Sequence, residues 1–126
     1  MTAAEFAVVD ASALASLLFG EPQAGEVAEA LHGRHLVCPT LLLYELGSVC
    51  LKKCQIYPAM KGSLLEALGL LDRLELREVR VVDKEVIELA EQKRRTYYDA
   101  CYLWLARELG AELVTLDSRL REAWEG

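Results

Sequence analysis

Seven consecutive residues, Ala100-Cys101-Tyr102-Leu103-Trp104-Leu105-Ala106, carry no charge and sit in a segment that reads as helix. Thr96 precedes the segment as a cap and Gly110 stops it. A surface helix needs only one apolar stripe, whereas a helix that is apolar all round must be covered on both sides. Just beyond it, Leu113-Val114-Thr115-Leu116 reads as a strand ending at Asp117, with a short helix from Ser118. A buried helix leading into a buried strand calls for a layered fold.

The rest of the chain repeats this alternation. Phe6-Ala7-Val8-Val9 is a buried strand ending at Asp10, and His35-Leu36-Val37-Cys38 a second, ended by Pro39. Helices are expected over 11–19 and 23–31, and from Thr40 to about Cys54 with Leu42, Leu46, Val49 and Cys50 as the apolar stripe. A further helix is expected from Pro58 to about Leu74, with Leu64, Leu65, Leu68 and Leu71 inward. Val79 to Val82 reads as a third strand, and Asp83 caps a helix with Val86, Ile87 and Ala90 inside. Strands separated by helices predict an α/β class, a three-layer α/β/α sandwich around a mainly parallel sheet.

At 126 residues, 53% hydrophobic and 27% charged, the chain suits one domain over 1–126. No apolar run reaches the roughly 18 residues of a membrane helix, and no basic region precedes the first apolar stretch. The reading is a cytoplasmic domain. Cys38, Cys50, Cys54 and Cys101 lack zinc-ligand spacing and read as small buried hydrophobes, with a disulfide as the alternative. The net charge of −6 speaks against a phosphate binder unless some carboxylates hold a cation.

Three aspartates share one kind of address. Asp10 and Asp117 end apolar strands just before helices, and Asp99 lies in the first turn of the buried helix. In an open parallel sheet, the carboxyl ends of the strands form the edge where ligands bind. Glu45 joins them from Leu41-Leu42-Leu43-Tyr44-Glu45-Leu46, a carboxylate in an apolar stretch. Each aspartate alone could be a helix cap, with Thr96-x-x-Asp99 resembling a capping box, and Glu45 could point to solvent. Capping leaves unexplained why one apolar edge collects four acids from distant segments. Crowded carboxylates repel unless a cation is bound, and an all-oxygen set suits Mg²⁺ or Mn²⁺.

Val8-Val9-Asp10-Ala11-Ser12-Ala13-Leu14, Leu42-Leu43-Tyr44-Glu45-Leu46, Tyr98-Asp99-Ala100-Cys101-Tyr102-Leu103 and Leu113-Val114-Thr115-Leu116-Asp117 resemble, in order, the motifs of PIN-domain ribonucleases. The chain's size and lack of appended domains look most like the VapC toxins of toxin–antitoxin pairs. The resemblance implies that Asp10, Glu45, Asp99 and Asp117 are the acidic quartet. It also implies that Ser12 and Thr115 are polar residues supporting it. The middle of the chain, from Cys50 to Arg95, carries no family signature.

The chemistry of the residues agrees. A metal that polarises a phosphate oxygen and lowers the pKa of water makes a protein nucleophile unnecessary, and no Ser-His-Asp or Cys-His set competes. His32 and His35 flank Gly33 in a turn and are not read as ligands. Asp10 and Asp117 are expected as direct ligands, Asp99 as a ligand or second-site carboxylate, and Glu45 as the group orienting the water. The products would carry 5′-phosphate and 3′-hydroxyl ends. Lys52 and Lys53, and the run Lys93-Arg94-Arg95, are candidates for phosphate contacts, against the reading that each is a solvated face. Tyr44, Tyr97, Tyr98 and Tyr102 are candidates for stacking on unpaired bases, against core packing.

The expected activity is therefore a Mg²⁺- or Mn²⁺-dependent endoribonuclease acting on RNA as the toxin of a toxin–antitoxin pair. A non-catalytic RNA- or protein-binding module of the same fold is one alternative. A metal-dependent nuclease or phosphatase on another phosphate substrate is the other. The leucine surplus of residues 63–74 and the resemblance together predict a homodimer, with a cognate antitoxin covering the acidic cleft.

Overall fold

The computed structural model describes residues 5–126. Four short strands pair in parallel: β1 (Phe6–Val9), β2 (His35–Pro39), β3 (Leu76–Val79) and β4 (Glu112–Val114), in the spatial order β3-β2-β1-β4. Val8 of β1 stands opposite Val37 on one side and Leu113 on the other. Ala7, Val8 and Val9 are wholly buried, as a central strand covered on both faces requires.

Seven α-helices are present among the described residues: α1 (Ala11–Leu18), α2 (Ala24–Leu31), α3 (Leu42–Ile56), α4 (Lys61–Gly69), α5 (Asp83–Lys93), α6 (Tyr97–Leu109) and α7 (Ser118–Glu125). Helix α6 packs on β1, β2 and β4 and is covered in turn by α5 and α7. That placement is why every residue from Ala100 to Ala106 is buried and uncharged. The one polar group of Trp104 is satisfied by α5, its Nε1 donating to Glu85 3.1 Å away. Gly110 ends α6 in the left-handed region at φ 60°, where a side chain would be strained. Helices α1, α2, α3 and α4 pack as a second group, giving the expected three layers. No helix among the described residues is long and apolar enough to cross a membrane.

The structure departs from the sequence reading at four places. The third strand is Leu76–Val79, three residues earlier than expected, because β2 pairs Leu36 with Leu76 and ends with Pro39 opposite Val79. Val82 instead caps α5, accepting its first helical hydrogen bond from Val86, so Asp83 is the first residue of the helix and not its cap. Strand β4 stops at Val114, because its partner β1 ends at Val9 and Asp10 turns away into α1. The expected helix from Pro58 to Leu74 is broken into a 3₁₀ turn (Pro58–Met60), α4 and a second 3₁₀ turn (Leu70–Arg73), with Gly69 at the break. Leu65 and Ile87, expected inside, are exposed, while Leu89 takes the inner place on α5. All four cysteines are free, and Cys38, Cys50 and Cys101 are buried.

Candidate active site

The strand order sets where a ligand can sit. From β1 the chain runs outward to β2 and β3, then returns to place β4 on the other side of β1. The crevice beyond the carboxyl ends of β1 and β4 is thus the topological switch point of the sheet. Asp10 follows β1 directly, and Thr115 and Asp117 follow β4. Helix α3, entered from β2, brings Glu45 in its first turn, and α6 brings Asp99 in its own.

Asp10 is the most tightly held of the four. The residue is 5% exposed, and its carboxylate accepts from the Ala13 N–H (3.0 Å) and the Ser12 hydroxyl (2.7 Å) at Oδ1. The Thr115 hydroxyl donates to its Oδ2. Each hydroxyl has a single proton, and both protons go to Asp10. The two oxygens are therefore left to accept, Ser12 from the Leu116 N–H (2.9 Å) and Thr115 from the Asp117 N–H (3.0 Å). Two hydroxyls thereby fasten the turn after β4 to the carboxylate after β1. Asp117 accepts from the N–H groups of Arg119 (2.9 Å) and Leu120 (3.2 Å), so it does cap α7 as well as stand at the edge. Arg121 closes the turn by donating to the Thr115 carbonyl at 2.6 Å.

Glu45 and Asp99 are held more loosely. The Tyr102 hydroxyl, on a buried ring, donates to Glu45 Oε1. Asp99 gives its N–H to the Thr96 hydroxyl at 3.1 Å, the half of the capping box that the sequence suggests. The positive charge that acts on its carboxylate is that of Arg95.

Burial, opposed by hydrogen bonds from Thr115, Ala13 and Ser12 and reinforced by Asp117, holds the Asp10 carboxyl above the ordinary range. Burial also lifts Glu45, against the Tyr102 hydrogen bond and with help from Asp10 and Asp99. Asp99 is lifted by burial and by Asp117, against Arg95. Asp117 thus acts on Asp10 and Asp99, and these two on Glu45, a crowding of like charge that a bound cation would relieve. Burial and then the Glu45 charge push the Tyr102 phenol far up, so it stays a donor.

Among the described residues, no three His, Cys, Asp or Glu side chains close on one point as a ready cage for an ion. The donor set still fits a hard divalent cation in kind. It is all carboxylate oxygen, and an ion of the magnesium type keeps several waters and needs only one or two carboxylates.

The five basic candidates divide. Arg95 donates to the Arg119 carbonyl at 2.9 Å, and its charge acts on Asp99. Lys52 is exposed on α3, two turns beyond Tyr44 and one beyond Ser48. Lys53 pairs with Glu21 at 3.4 Å and lies over the Phe19 ring, Lys93 donates to the Gly126 carbonyl at 3.1 Å, and Arg94 is the left-handed cap of α5. The two lysines are thus engaged with other partners, and Arg94 serves α5 through its backbone. The tie between Tyr102 and Glu45 is absent from the sequence reading. Its signal was a lone phenol in an apolar run, three residues after Asp99 and so on the same helix face, which must find a partner when buried.

The model of the PIN domain family matches residues 7–125. Ribonuclease VapC3 of Pyrobaculum aerophilum is 31% identical over 120 residues, covering 91% of this chain and 92% of that protein. Among solved structures, PAE2754 of Pyrobaculum aerophilum superimposes with a TM-score of 0.77 at 26% identity, covering 98% of this chain and 87% of that one. VapC20 of Mycobacterium tuberculosis, a toxin that cleaves the sarcin-ricin loop, gives 0.69 at 16% identity, over 93% of this chain and 94% of its own, a likeness of fold. An acidic edge at the switch point of a four-stranded parallel sheet thus meets both a family model spanning nearly the whole chain and a ribonuclease relative of matching length, and the chain belongs to the PIN-domain family, among its VapC-type ribonucleases.

Proposed function

We propose that this chain, as one nuclease domain over residues 1–126, is the endoribonuclease toxin of a toxin–antitoxin pair, hydrolysing phosphodiester bonds of RNA with Mg²⁺ or Mn²⁺. One observation carries the reading: four acids from four distant segments stand at one switch point, three of them raised by burial and by each other. Asp10, Asp117 and Asp99 would hold the ion. Bound there, it supplies Lewis acidity toward a phosphate oxygen and lowers the pKa of water.

The chain's own residues do the rest. Ser12 and Thr115 keep the Asp10 oxygens aimed into the crevice while tying down the turn that carries Asp117. Glu45, aligned by Tyr102, takes a proton from the attacking water. The water oxygen bonds to phosphorus as the bond from phosphorus to the ribose 3′ oxygen breaks. That oxygen leaves with the bonding pair and takes a proton from solvent to become the 3′-hydroxyl, and the phosphate stays on the 5′ end. Arg95, whose charge acts on Asp99, and Lys52, exposed on α3, would meet the flanking phosphates.

The chain works in the cytoplasm as a homodimer. The support for pairing is a cavity lined by Leu43, Leu65, Leu68, Leu71, Leu74 and Leu76, of which Leu65 and Leu74 are exposed. A cognate antitoxin brings a basic side chain to the acidic crevice. The test is cleavage of single-stranded RNA by the purified protein with Mg²⁺, with Mn²⁺ and with EDTA. Cleavage is expected with either metal and none with EDTA, leaving 5′-phosphate ends. Undiminished cleavage in EDTA, or products ending in a 2′,3′-cyclic phosphate, would reject the mechanism.

A further inference from the structure

We infer that the cleft between Tyr44 and Tyr98 is a stacking site for one unpaired nucleobase of the RNA, beside the phosphate that the carboxylates address. The inference rests on the nuclease reading above and narrows it to single-stranded substrate. Tyr44 and Tyr98 come from different elements, the first turns of α3 and α6, and are 78% and 62% exposed. Leaving two such rings in water forgoes the burial that makes aromatic residues worth having in a core. They line one cleft of about 260 Å³ together with Leu41, Ser48 and Glu45, so the aromatic walls and the acidic edge are continuous.

The cleft is also braced. The Tyr98 ring meets Tyr97 edge-on, with centroids 6.3 Å apart and planes at 66°. The Tyr97 hydroxyl donates to Asp83 at the start of α5, 2.7 Å away. Tyr44, Ser48 and Lys52 follow one another at four-residue spacing along α3, a ring, a hydroxyl and a cation in a row leading away from Glu45. The chain carries a net charge of −6, so a broad positive field cannot gather RNA. Stacking needs no such field, because every base offers a π-face. Of the four tyrosines near the acidic motifs, Tyr102 is spent on Glu45 and Tyr97 on Asp83, which leaves these two for a ligand.

The experiment compares parent, Tyr44→Ala, Tyr98→Ala and the two Phe variants on a short single-stranded oligoribonucleotide. It repeats the series with an abasic residue walked through the positions flanking the cut. Each Ala variant should raise KM about tenfold, within a range of roughly 5- to 100-fold, with kcat changed less than about twofold. The Phe variants, which keep the π-face, should return KM to within about twofold of the parent. At one abasic position the parent should lose as much, and the Ala variants nothing further. Fluorescence anisotropy with the same labelled oligonucleotide in EDTA reads binding without cleavage and should show the same pattern in Kd. A parent that binds through these rings yet never cuts RNA would overturn the nuclease reading alone. A parent that cuts, with Ala variants unmoved in KM and Kd, would overturn the stacking site alone. Ala variants that keep parental KM but fail to retain a co-expressed antitoxin would overturn it in favour of a protein partner.

Discussion

Asp10 and Asp99 carry the same charge at the same edge of the sheet, but the chain holds them in opposite ways. Asp10 is nearly sealed, and three donors reach it, two of them hydroxyls that are themselves bonded to the backbone after β4. Asp99 is half-buried, its N–H is served by Thr96, and the opposing charge on its carboxylate is that of Arg95, itself tethered to α7. Glu45 sides with Asp99, kept in place by the single Tyr102 hydroxyl. The crevice therefore has a rigid wall and an adjustable one. In the proposed mechanism a fixed wall suits the ligand of a metal, whose position sets the geometry. A yielding wall suits groups that must meet a water and a phosphate.

The largest effect should come from removing charge. Asn caps helices about as well as Asp, so Asp10→Asn and Asp117→Asn should spare the starts of α1 and α7. Both should take RNA cleavage below detection. In EDTA, Asp10→Asn should melt higher than the parent, about 4 °C for each kcal/mol of repulsion relieved. The sign follows from linkage. Because the folded carboxyl of Asp10 lies above its unfolded value, the native state binds the extra proton. Parental stability then falls as pH rises from the ordinary carboxylate value through the raised one. The melting advantage of Asp10→Asn should thus widen toward neutral pH. Asp99→Asn, which gives up fewer hydrogen bonds, should gain more than Asp10→Asn; the reverse order would break the contrast between the two walls. Melting curves across pH, with EDTA and with Mg²⁺, decide it. Mg²⁺ should stabilise the parent more than either variant, since a ligand favours only the state that binds it.

Thr115→Val tests the rigid wall without touching a charge. It strips a donor from Asp10 and an acceptor from the Asp117 N–H. The expected losses are about 10- to 100-fold in activity, as for other groups that orient metal ligands, and about 1–3 kcal/mol of stability. Tyr102→Phe does the same for the adjustable wall and should cost about tenfold in kcat. Its distinctive mark is in the pH profile. The phenol favours the charged form of Glu45, so without it the acid limb should move to higher pH. In a Glu45→Gln background Tyr102→Phe should change little, because the two act as one unit.

The two walls were also unequally legible in the sequence. Asp10, Asp99 and Asp117 could be placed because each stands where an apolar run gives way to a helix start, and both signals are local. Helix α6 was legible for the same reason, since seven uncharged residues admit only a covered position. The hydroxyl wedge joins residues 103 positions apart, and Tyr102 meets Glu45 across 57, distances that no periodicity spans. Strand β3 was misplaced because Leu76–Val79 has two exposed charged residues in its middle, and only pairing with β2 sets its register. Leu65 and Ile87 look like their buried neighbours in the sequence; only the facing element decides which stays outside. The basic runs were read as blocks, whereas the fold sorts them one residue at a time.

That sorting yields the smallest predicted effect and the sharpest control. Lys93 and Arg95 are two residues apart, yet Lys93 reaches the Gly126 carbonyl, whereas Arg95 is the cation whose charge acts on Asp99. If Arg95 meets a phosphate, Arg95→Ala should raise KM for single-stranded RNA by about two- to fivefold. It should also flatten the plot of log KM against log salt by about 0.7, the value of one released counterion on a single strand. Removing the guanidinium also lets Asp99 rise further, so kcat should fall slightly more at acid than at neutral pH. Lys93→Ala should leave KM, the salt slope and the pH profile as in the parent. Both substitutions remove one positive charge, so a general loss of attraction would move the two alike. Equal salt slopes for the two variants would therefore show that Arg95 acts on RNA only through net charge, and that the adjustable wall makes no phosphate contact there.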